Sequence, residues 1–299
     1  VRIVRQFLSL NSSLSKFEWE QTSYALTQSN PGVKFLNAQT IKLPSITVSG
    51  YKDHNRQGSG FNAGSLTNEW EPKKLTHDRD IELRVDPMDV DETNLVLDMA
   101  NVQNALETDQ TIPEKDKYNF SKLYAEAKTY AANGASIVTT ALTAANVLDW
   151  FDEAMEKMDD ESVPSEGRIL YVTPAVRKLL KRADGIQRTL DVTSGNKNIN
   201  RNVHSIDDVE IVSVPSARMK TKYNFTEGAV PAPTAKQIRA ILVHPSCVVA
   251  RDKYSYINVF TPGHDAKTAD SYLLQSRFYM DLFLIKNKAT GVCINAEAE

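Results

Sequence analysis

The apolar positions in the first forty residues have no regular spacing that predicts a long helix or strand. Asn11, Ser12, Ser13 and Ser15 open a polar stretch, and Asn30-Pro31-Gly32 is a strong turn signal. The aromatic residues Phe17 and Trp19 stand in this polar stretch. They fit two structures equally well: an arm that packs on a neighbouring chain, or a short amphipathic helix docked on its own domain. We expect residues 1–40 to form an arm with little structure of its own.

Period-2 alternation follows the arm and predicts a long hairpin. The run 41–48 alternates imperfectly around Pro44, and the run 81–85 alternates cleanly between apolar and charged residues. Residues 49–70 between them are rich in Gly, Ser and Asn. Just before residue 81, the same face carries His77 and Arg79, which are too polar for a core. We therefore predict a hairpin over 41–86 that projects from the body, with 81–85 as its return strand.

The period then becomes helical. Thr111-Ile112-Pro113-Glu114 has the spacing of a capping box, with Pro just inside a helix start, and Asn133-Gly134 predicts the end of that helix. A second helix is predicted over 144–158, with one apolar and one acidic face, and a third from Thr173-Pro174. Strands are predicted at 168–172, 209–214, 238–243, 254–260, 277–285 and 291–294. Helices and strands do not alternate strictly, which indicates an α+β fold.

Composition and charge narrow the class of protein. The chain has 299 residues, of which 41% are hydrophobic and 24% charged, and this is ordinary for a globular protein. A net charge of −3 argues against a surface that grips nucleic acid broadly. Cys247 and Cys293 cannot form a disulfide framework, and we predict two buried thiols in a protein that matures in a cytoplasm. No apolar run is long enough for a membrane span, and the opening residues lack a signal-peptide core, so we expect no membrane association.

Candidate chemical sites each have a simpler structural interpretation. The carboxylates Asp86, Asp89, Asp91 and Glu92 lack the Gly-centred spacing of a calcium loop. In the simpler interpretation, Asp91 or a neighbour caps the helix after the return strand, with acids favoured in the first turn of that helix. Gly58-Ser59-Gly60 lacks the strand and the Lys-Ser/Thr pair of a phosphate loop and fits a hairpin tip.

Histidines and cysteines give no stronger signal. His244 and Cys247 are close in sequence, but a closed zinc site needs four ligands, and no nucleophile-elbow motif occurs. We predict no catalytic, cofactor-binding or metal-binding residues, no cofactor, and a protein that is not an enzyme. The acidic face of the second helix leaves two interpretations open: a plain solvated face, or a contact with a basic patch on a sister subunit.

Several strings, in their order and spacing, resemble the major capsid proteins of tailed bacteriophages, especially those of phages of Gram-positive hosts. The strings that resemble the projecting loop's return strand are Trp70-Glu71-Pro72, Leu75-Thr76-His77-Asp78-Arg79-Asp80 and Val85-Asp86-Pro87-Met88-Asp89-Val90-Asp91-Glu92-Thr93. The strings similar to the following helix and to later blocks are Ile112-Pro113-Glu114-Lys115-Asp116, Phe120-Ser121-Lys122-Leu123, Arg168-Ile169-Leu170-Tyr171-Val172, Val214-Pro215-Ser216, Ile241-Leu242-Val243-His244-Pro245-Ser246 and Arg277-Phe278-Tyr279-Met280-Asp281.

The resemblance implies the Hong Kong ninety-seven type capsid fold, which has an N-terminal arm, an extended loop, a peripheral domain with a spine helix, and an axial domain. The arm would be 1–40 and the extended loop 41–86. The peripheral domain would take 87–140 and 243–284, and the axial domain 141–242 and 285–299. These boundaries agree with an unanchored arm, a polar hairpin, a long helix and a mixed lobe.

The implied function is assembly of an icosahedral shell, a virion capsid built in the host cytoplasm around double-stranded DNA. The partners would be further copies of the chain in hexamers and pentamers, a separate scaffolding protein, a portal protein, a decoration protein as a further candidate, and the packaged DNA through weak non-specific contacts. The residues expected at contacts between subunits are Phe17, Trp19, Lys52, Arg56, Trp70, Lys73 and Lys74. Some family members crosslink a hairpin Lys to an Asn of the next subunit. No motif marks a lysine here as reactive, and we predict no crosslink.

Two other functions are compatible with the sequence. An encapsulin-like nanocompartment would have the same fold but enclose an enzyme, and neighbouring portal and terminase genes or a cargo gene would separate the two. A soluble hydrolase or carbohydrate-binding protein would use Asp86, Asp89 and Glu92, and it would be a monomer with measurable turnover or ligand binding.

Overall fold

Two main β-sheets and one long helix organise the chain. The computed structural model describes residues 21–28, 39–54, 61–92, 99–183, 205–264 and 267–298, and the side chains of 44–47, 68–70 and 90–92 fall outside that description. The helices are α1 Tyr24–Thr27, α2 Pro87–Glu92, α3 Met99–Leu106, α4 Ile112–Thr129, α5 Val147–Asp160 and α6 Pro174–Leu180. No helix in these ranges is long and apolar enough to span a membrane.

The strands confirm the mixed α+β character that the sequence predicts. They are β1 Thr40–Val48, β2 Leu66–Lys74, β3 His77–Val85, β4 Ser136–Val138, β5 Ile169–Val172, β6 Ser205–Ile206, β7 Val209–Ser213, β8 Tyr223–Asn224, β9 Val230–Pro231, β10 Ile238–Val243, β11 Val248–Phe260, β12 Tyr272–Leu284 and β13 Val292–Ala296. The predicted strands at 254–260 and 277–285 are parts of the longer β11 and β12.

A six-stranded mixed sheet lies at the centre of one lobe, in the order β4-β13-β10-β5-β7-β6. Its strands are apolar at nearly every position because both faces are buried. Tyr171, Ile241 and Ile294 face a core shared with α4. Leu170 and Leu242 belong to the opposite core, which α5 and α6 cover. The lobe is therefore a sheet between two helical layers.

A three-stranded antiparallel sheet, in the order β11-β12-β3, extends away from that lobe. β11 and β12 each have 13 residues, so each spans about 43 Å. The ends of these strands at Val248 and Leu284 are buried, whereas the middle of the sheet carries exposed charged side chains such as Asp252 and Arg277. One face of the other end of the sheet packs on α3, where Val85 and Leu274 meet Met99 and Leu106.

Helix α4 has the predicted apolar period and the predicted end. Phe120, Leu123 and Ala127 are fully buried on one face. The helix ends before Gly134, whose φ of 102° lies in the left-handed region that glycine adopts without strain. A β-carbon at Gly134 would lie 2.3 Å from Thr290 Cγ2, so the close approach of the chain to this turn also requires glycine.

Helix α4 begins at Ile112 with Pro113 in its first turn, as predicted, but the predicted capping box at Thr111 does not form. Thr111 has helical φ and ψ of −64° and −51° and makes no side-chain cap. Helical structure is already present in α3, Met99–Leu106, and it continues into α4 through a π-turn at Glu107–Thr111, where the Ile112 N–H donates to Glu107 O. Pro113 has no N–H to donate and its ring crowds the preceding turn, so a widened turn lets the helix continue without breaking.

The hairpin exists, but its predicted return strand is wrong. β1 pairs with β2 in register from Thr40↔Lys74 to Val48↔Leu66. The clean alternation at 81–85 belongs to β3, which pairs with β12 from Val85↔Tyr272 to His77↔Met280. β2 has no period because it forms a two-stranded ribbon whose pairing depends on backbone hydrogen bonds. β3 alternates because one of its faces packs towards α3.

The described part of the arm is docked on its own chain. Leu26 is fully buried in the core shared with α4. Asp116 of α4 is also fully buried, and its two carboxylate oxygens accept from the backbone N–H and hydroxyl of Ser23 and of Thr22 at 2.7–3.3 Å. Arg218 donates to the same carboxylate at 3.0 Å. For residues 21–28 the docked alternative is therefore correct, while Phe17 and Trp19 lie outside the described residues.

Replacing Asp116 should test this anchor. Asp116→Ala leaves Arg218 and the donors of residues 22 and 23 without their acceptor, so we expect the free energy of unfolding to fall by about 3 kcal/mol. Asp109→Ala, on an exposed position of the same helical run, should change it by less than about 0.5 kcal/mol. Urea unfolding followed by circular dichroism measures both. Equal effects of the two substitutions would contradict the anchoring role.

Candidate assembly surfaces

The base of the β1–β2 hairpin is packed firmly on the body. Ile41 and Leu43 of β1 and Leu75 after β2 are buried against Val249 and Phe283. The Leu75 N–H donates to Gln39 O at 2.8 Å and closes the base. An isolated two-stranded hairpin is marginally stable in water, and this apolar cluster supplies the support that it needs.

A polar cluster also joins the hairpin to the end of α4. The Lys73 ammonium donates to the Tyr130 hydroxyl and lies 3.1 Å from Glu71 Oε1, and the Tyr130 hydroxyl donates to Glu71 Oε1 at 3.2 Å. Partial burial alone would lower the pKa of Lys73, but its bonds to Tyr130 and Glu71 and the nearby Glu126 raise it above the usual value. Lys73 is therefore a charged part of the hairpin's support.

The tip of the hairpin has the opposite character. Tyr51 and Phe61 have relative exposures of 108% and 99%, so no part of the described chain covers them. Val48 and Leu66, where the strands end, are also exposed. The tip is closed by its own hydrogen bonds, including Ser49 N–H to Ser65 O at 2.9 Å and Asn62 Nδ2 to Asp53 O at 2.8 Å. Exposed aromatic side chains grouped on a projecting element are typical of an interaction surface.

A second apolar surface lies along the outer edge of β3. An open groove of about 600 Å³ runs between β3 and α3, lined mainly by Ile81, Leu83, Val102, Ala105 and Leu106. β3 pairs only with β12 among the described strands, so its other edge has no strand partner there. Unpaired strand edges beside apolar grooves are places where another chain can add.

The junction between the hairpin and the long sheet is fixed by a buried carboxylate. Asp281 of β12 is only 2% exposed. It accepts from the Thr76 N–H and the Tyr118 hydroxyl, both at 2.8 Å. Burial, with the nearby Asp281 charge, raises the pKa of Tyr118, which stays protonated as a donor. The Asp281 carboxylate therefore holds the β2–β3 turn, α4 and β12 together.

His77 lies beside this junction and is almost completely buried. Its ring stacks on Tyr118 with centroids 3.8 Å apart. Glu114 Oε1 is 3.6 Å from His77 Nε2, too far for a hydrogen bond, because Arg79 takes that carboxylate at 2.7 Å. Burial, and secondly the Arg79 charge, lower the pKa of His77 to about 3. His77 is therefore neutral at physiological pH.

The carboxylates considered as a metal or acid–base site do not form one in the described residues. Asp86 Oδ1 accepts from the Met88 N–H at 2.8 Å and caps α2, as the simpler interpretation predicts. Asp89 lies in the first turn of that helix, and the side chains of Asp91 and Glu92 lie outside the description. Within the described ranges, no three His, Cys, Asp or Glu side chains are grouped as metal ligands.

His244 and Cys247 have structural partners. His244 Nδ1 is 2.7 Å from Ser246 Oγ, and its Nε2 is 3.1 Å from Glu166 O. Cys247 and Cys293 are free and buried, and burial raises the pKa of both thiols, that of Cys293 to about 11. Both cysteines are therefore protonated, as the sequence predicts for buried thiols.

The residues predicted at contacts between subunits fall in different places. Lys52 is exposed at the hairpin tip, and Lys74 is exposed near its base. Lys73 is engaged within the chain, as described above. The side chains that lie outside the described residues are Phe17, Trp19, Arg56 and Trp70.

The sequence reasoning gave no structural role to Asp116, Asp281 or Arg168. Arg168 is 1% exposed, donates to Asp159 Oδ1 and to Val163 O at 2.6 Å, and so joins the end of α5 to the start of β5. Each of the three residues lies within or next to a predicted apolar run. An ionisable residue at such a position is the sequence signal that indicates a buried structural role. Its partners could not be identified, because they lie elsewhere in the chain or in loops without a period.

Comparison with known proteins identifies the architecture. No family model and no curated protein matches the sequence. Among solved structures, the mature capsid of bacteriophage PhiM1 aligns over 89% of this chain and 84% of its own, with a TM-score of 0.65 and 14% identity. The cyanophage P-SCSP1u capsid aligns over 88% and 84%, with a TM-score of 0.59 and 13% identity.

This chain has the Hong Kong ninety-seven type capsid fold. A structure from Microbacterium phage Oxtober96 aligns similarly, over 89% and 88% of the two chains, with a TM-score of 0.57 and 12% identity. The fold that the sequence strings imply is thus confirmed. At these low identities the likeness concerns the backbone architecture.

The buried His77 predicts a loss of stability in acid. The unfolded chain binds a proton near pH 6.5, whereas the folded chain resists it down to about pH 3, so stability falls as pH drops between these values. At pH 5 this group should have removed about 2 kcal/mol relative to pH 7.5. Urea unfolding as a function of pH measures the effect. His77→Phe keeps the ring stack and should flatten the pH dependence, and an unchanged pH dependence in that variant would contradict this assignment.

Proposed function

We propose that this chain is the major capsid protein of a tailed bacteriophage, which assembles into the icosahedral shell around a double-stranded DNA genome. The observation that carries the proposal is the apolar hairpin tip on a chain with the capsid fold. Tyr51 and Phe61 are fully exposed on an element whose base is firmly packed. Burial of two aromatic side chains favours association by several kcal/mol in total before the entropy of association is counted.

The contact that covers the tip is heterologous in this proposal. The tip and the β3 groove are lined by different residues, so seating one in the other joins copies head to tail. Head-to-tail contacts close into rings, which hexamers and pentamers require. We also retain Lys52, Arg56, Lys73, Lys74, Trp70, Phe17 and Trp19 as proposed contact residues.

The domain division follows the same proposal. The arm is 1–40, the extended loop 41–86, the peripheral domain 87–140 and 243–284, and the axial domain 141–242 and 285–299. β3 lies within the extended-loop range, but it hydrogen-bonds to β12, so it connects the loop to the peripheral domain. The six-stranded sheet without β4, together with the layer of α5 and α6, would form most of the axial domain, whereas α4 would belong to the peripheral domain.

The proposed role is structural and non-catalytic. Asp86 caps a helix, His244 bonds to its own turn, and the thiols are buried and protonated, which supports this view. The proposed location is the virion capsid, assembled in the host cytoplasm. The proposed partners are sister copies, a scaffolding protein, a portal protein, a decoration protein and weakly bound DNA.

Negative-stain microscopy of the purified protein tests the proposal, and we expect closed shells. Tyr51→Ser combined with Phe61→Ser removes the apolar tip, so we expect no shells and slowly sedimenting species. The thermal midpoint of the unassembled chain should shift by less than about 2 °C, because both side chains are exposed before assembly. Analytical sedimentation and thermal unfolding provide these readouts.

A matched control uses an exposed apolar residue outside the hairpin. Met88 is 69% exposed on α2, and Met88→Ser should leave shell formation unchanged. Shells formed normally by the tip variant would contradict the role of the tip. A wild-type chain that remains monomeric would contradict the shell itself. DNA or enzyme inside shells from infected or native cells separates a phage capsid from an encapsulin-like compartment.

We also expect shells without covalent crosslinks. Lys73 is held by Tyr130 and Glu71 as part of the hairpin's support, and Lys52 bonds only to Ala63 O at 3.4 Å in the described chain. Purified shells boiled in detergent should therefore run on a denaturing gel as one band with the mass of a single chain. A ladder of high-mass bands that persists after reduction would overturn this expectation.

A further inference from the structure

Helix α5 exposes a face that is almost purely acidic. Its apolar residues, including Trp150, Phe151 and Met158, are buried against the six-stranded sheet. The outward positions carry Asp149, Asp152, Glu153, Glu156, Asp159 and Asp160, all exposed, against one half-buried cation, Lys157. We call the outward residues the acidic face.

The acidic face is unfavourable for the helix itself. Asp149 and Glu153, and Asp152 and Glu156, are four residues apart, where like charges destabilise a helix. Acids at the C-terminal end, such as Asp160, also oppose the helix dipole. Desolvation, and secondly the negative charge of Asp207 in the β6–β7 turn, raise the pKa of Asp152. Neither the helix dipole nor ion pairs within the helix therefore explain why so many acidic residues lie on this face.

Helix α6 and the turn after it expose the opposite charge. Lys178 and Arg182 are exposed, and Arg177 and Lys181 are half-buried, with no carboxylate from Pro174 to Ala183. One or two cations are enough to offset the negative end of the helix dipole at the C-terminus of α6, and four are present. We call these four residues the basic face.

The two faces do not neutralise each other within the described chain. α5 and α6 belong to the same core and are buried through their apolar sides. Among the described residues, the ion pair made by the acidic face is Asp159 with the buried Arg168, and Lys178 and Arg182 make none. The lobe therefore carries an acidic and a basic surface that no ion pair joins among the described residues, although the whole chain has a net charge of only −3.

We propose that the acidic face of α5 in one copy docks on the basic face of α6 in the next copy. The inference rests on the proposed shell function and names a charge-matched contact in the lobe with the six-stranded sheet. Identical faces of two copies repel each other, so a two-fold contact of acidic with acidic face is disfavoured. The favourable arrangement is head to tail, and its repetition closes a ring. The charge pattern therefore disfavours contacts between like faces, and the contact that we propose is the head-to-tail one.

Charge reversal with rescue tests the contact. Asp152→Lys with Glu156→Lys reverses the acidic face, and Lys178→Glu with Arg182→Glu reverses the basic face. We expect each pair of substitutions to raise the protein concentration needed for assembly on the order of tenfold. The four substitutions together should bring it back to within about threefold of wild type, because complementarity is regained. Light scattering during assembly and microscopy of the products measure this.

Salt supplies a readout that misfolding would not imitate. Raising NaCl from about 0.15 M to about 1 M shortens the screening length from about 8 Å to about 3 Å. Wild type should then assemble less readily and each reversed variant more readily. The matched controls Glu227→Lys and Lys222→Glu, exposed and outside both helices, should leave the concentration for assembly unchanged.

The outcomes separate this contact from the shell proposal. Reversed variants that assemble like wild type, or a fourfold variant no better than the two reversed ones, would sink the charge-matched contact while shells still form. A wild type that never assembles under any salt condition would overturn the shell proposal and this contact together. Circular dichroism confirms that each variant is folded before it is scored.

Discussion

Two buried carboxylates hold the separate parts of the chain against helix α4. Asp116 of α4 joins the arm segment 21–28 and Arg218, and Asp281 of β12 joins the β2–β3 turn and Tyr118 of α4. A buried carboxylate is strongly unfavourable unless its oxygens accept several hydrogen bonds. Each buried carboxylate is therefore favourable only when all of its hydrogen-bond donors are in place. Through these two carboxylates, both sheets are positioned relative to α4.

This internal order contrasts with the surface of the hairpin tip. The base of the hairpin has an apolar cluster and the Lys73–Tyr130–Glu71 group, whereas Tyr51 and Phe61 have no contact partner that would exclude water in the described chain. A well-anchored base limits the conformations that the tip loses on binding. The chain thus presents an apolar anchor in a defined direction, which suits a protein whose contacts are repeated in a symmetric shell.

The lobe that contains the six-stranded sheet also presents interaction surfaces, and these are charged. The negative charges of the acidic face and the positive charges of the basic face nearly cancel. Within each helix, the like charges repel one another and lower the stability of that helix. Burial of the apolar tip contributes affinity, while the opposite charges of the two faces disfavour contacts between like faces. The two kinds of surface together would specify both that copies associate and how they are oriented.

The sequence by itself determined the features whose signal is local. The apolar period of α4, the acidic face of α5, the apolar runs of β5 and β10 and the buried thiols all follow from neighbours within a few residues. The strings that resemble capsid proteins led to the correct fold, because their order along the chain is also visible without a structure.

Only the tertiary structure decided which distant parts meet. The regular alternation of β3 suggested a hairpin return strand, yet β3 pairs with β12, and the unpatterned β2 pairs with β1. Thr111 suggested a capping box, yet a π-turn joins α3 to α4 there. The partners of Asp281 and Asp116 lie up to 205 residues away in the chain. Side-chain period reports burial, whereas strand pairing and buried hydrogen bonds depend on register and on donors that only the folded chain brings together.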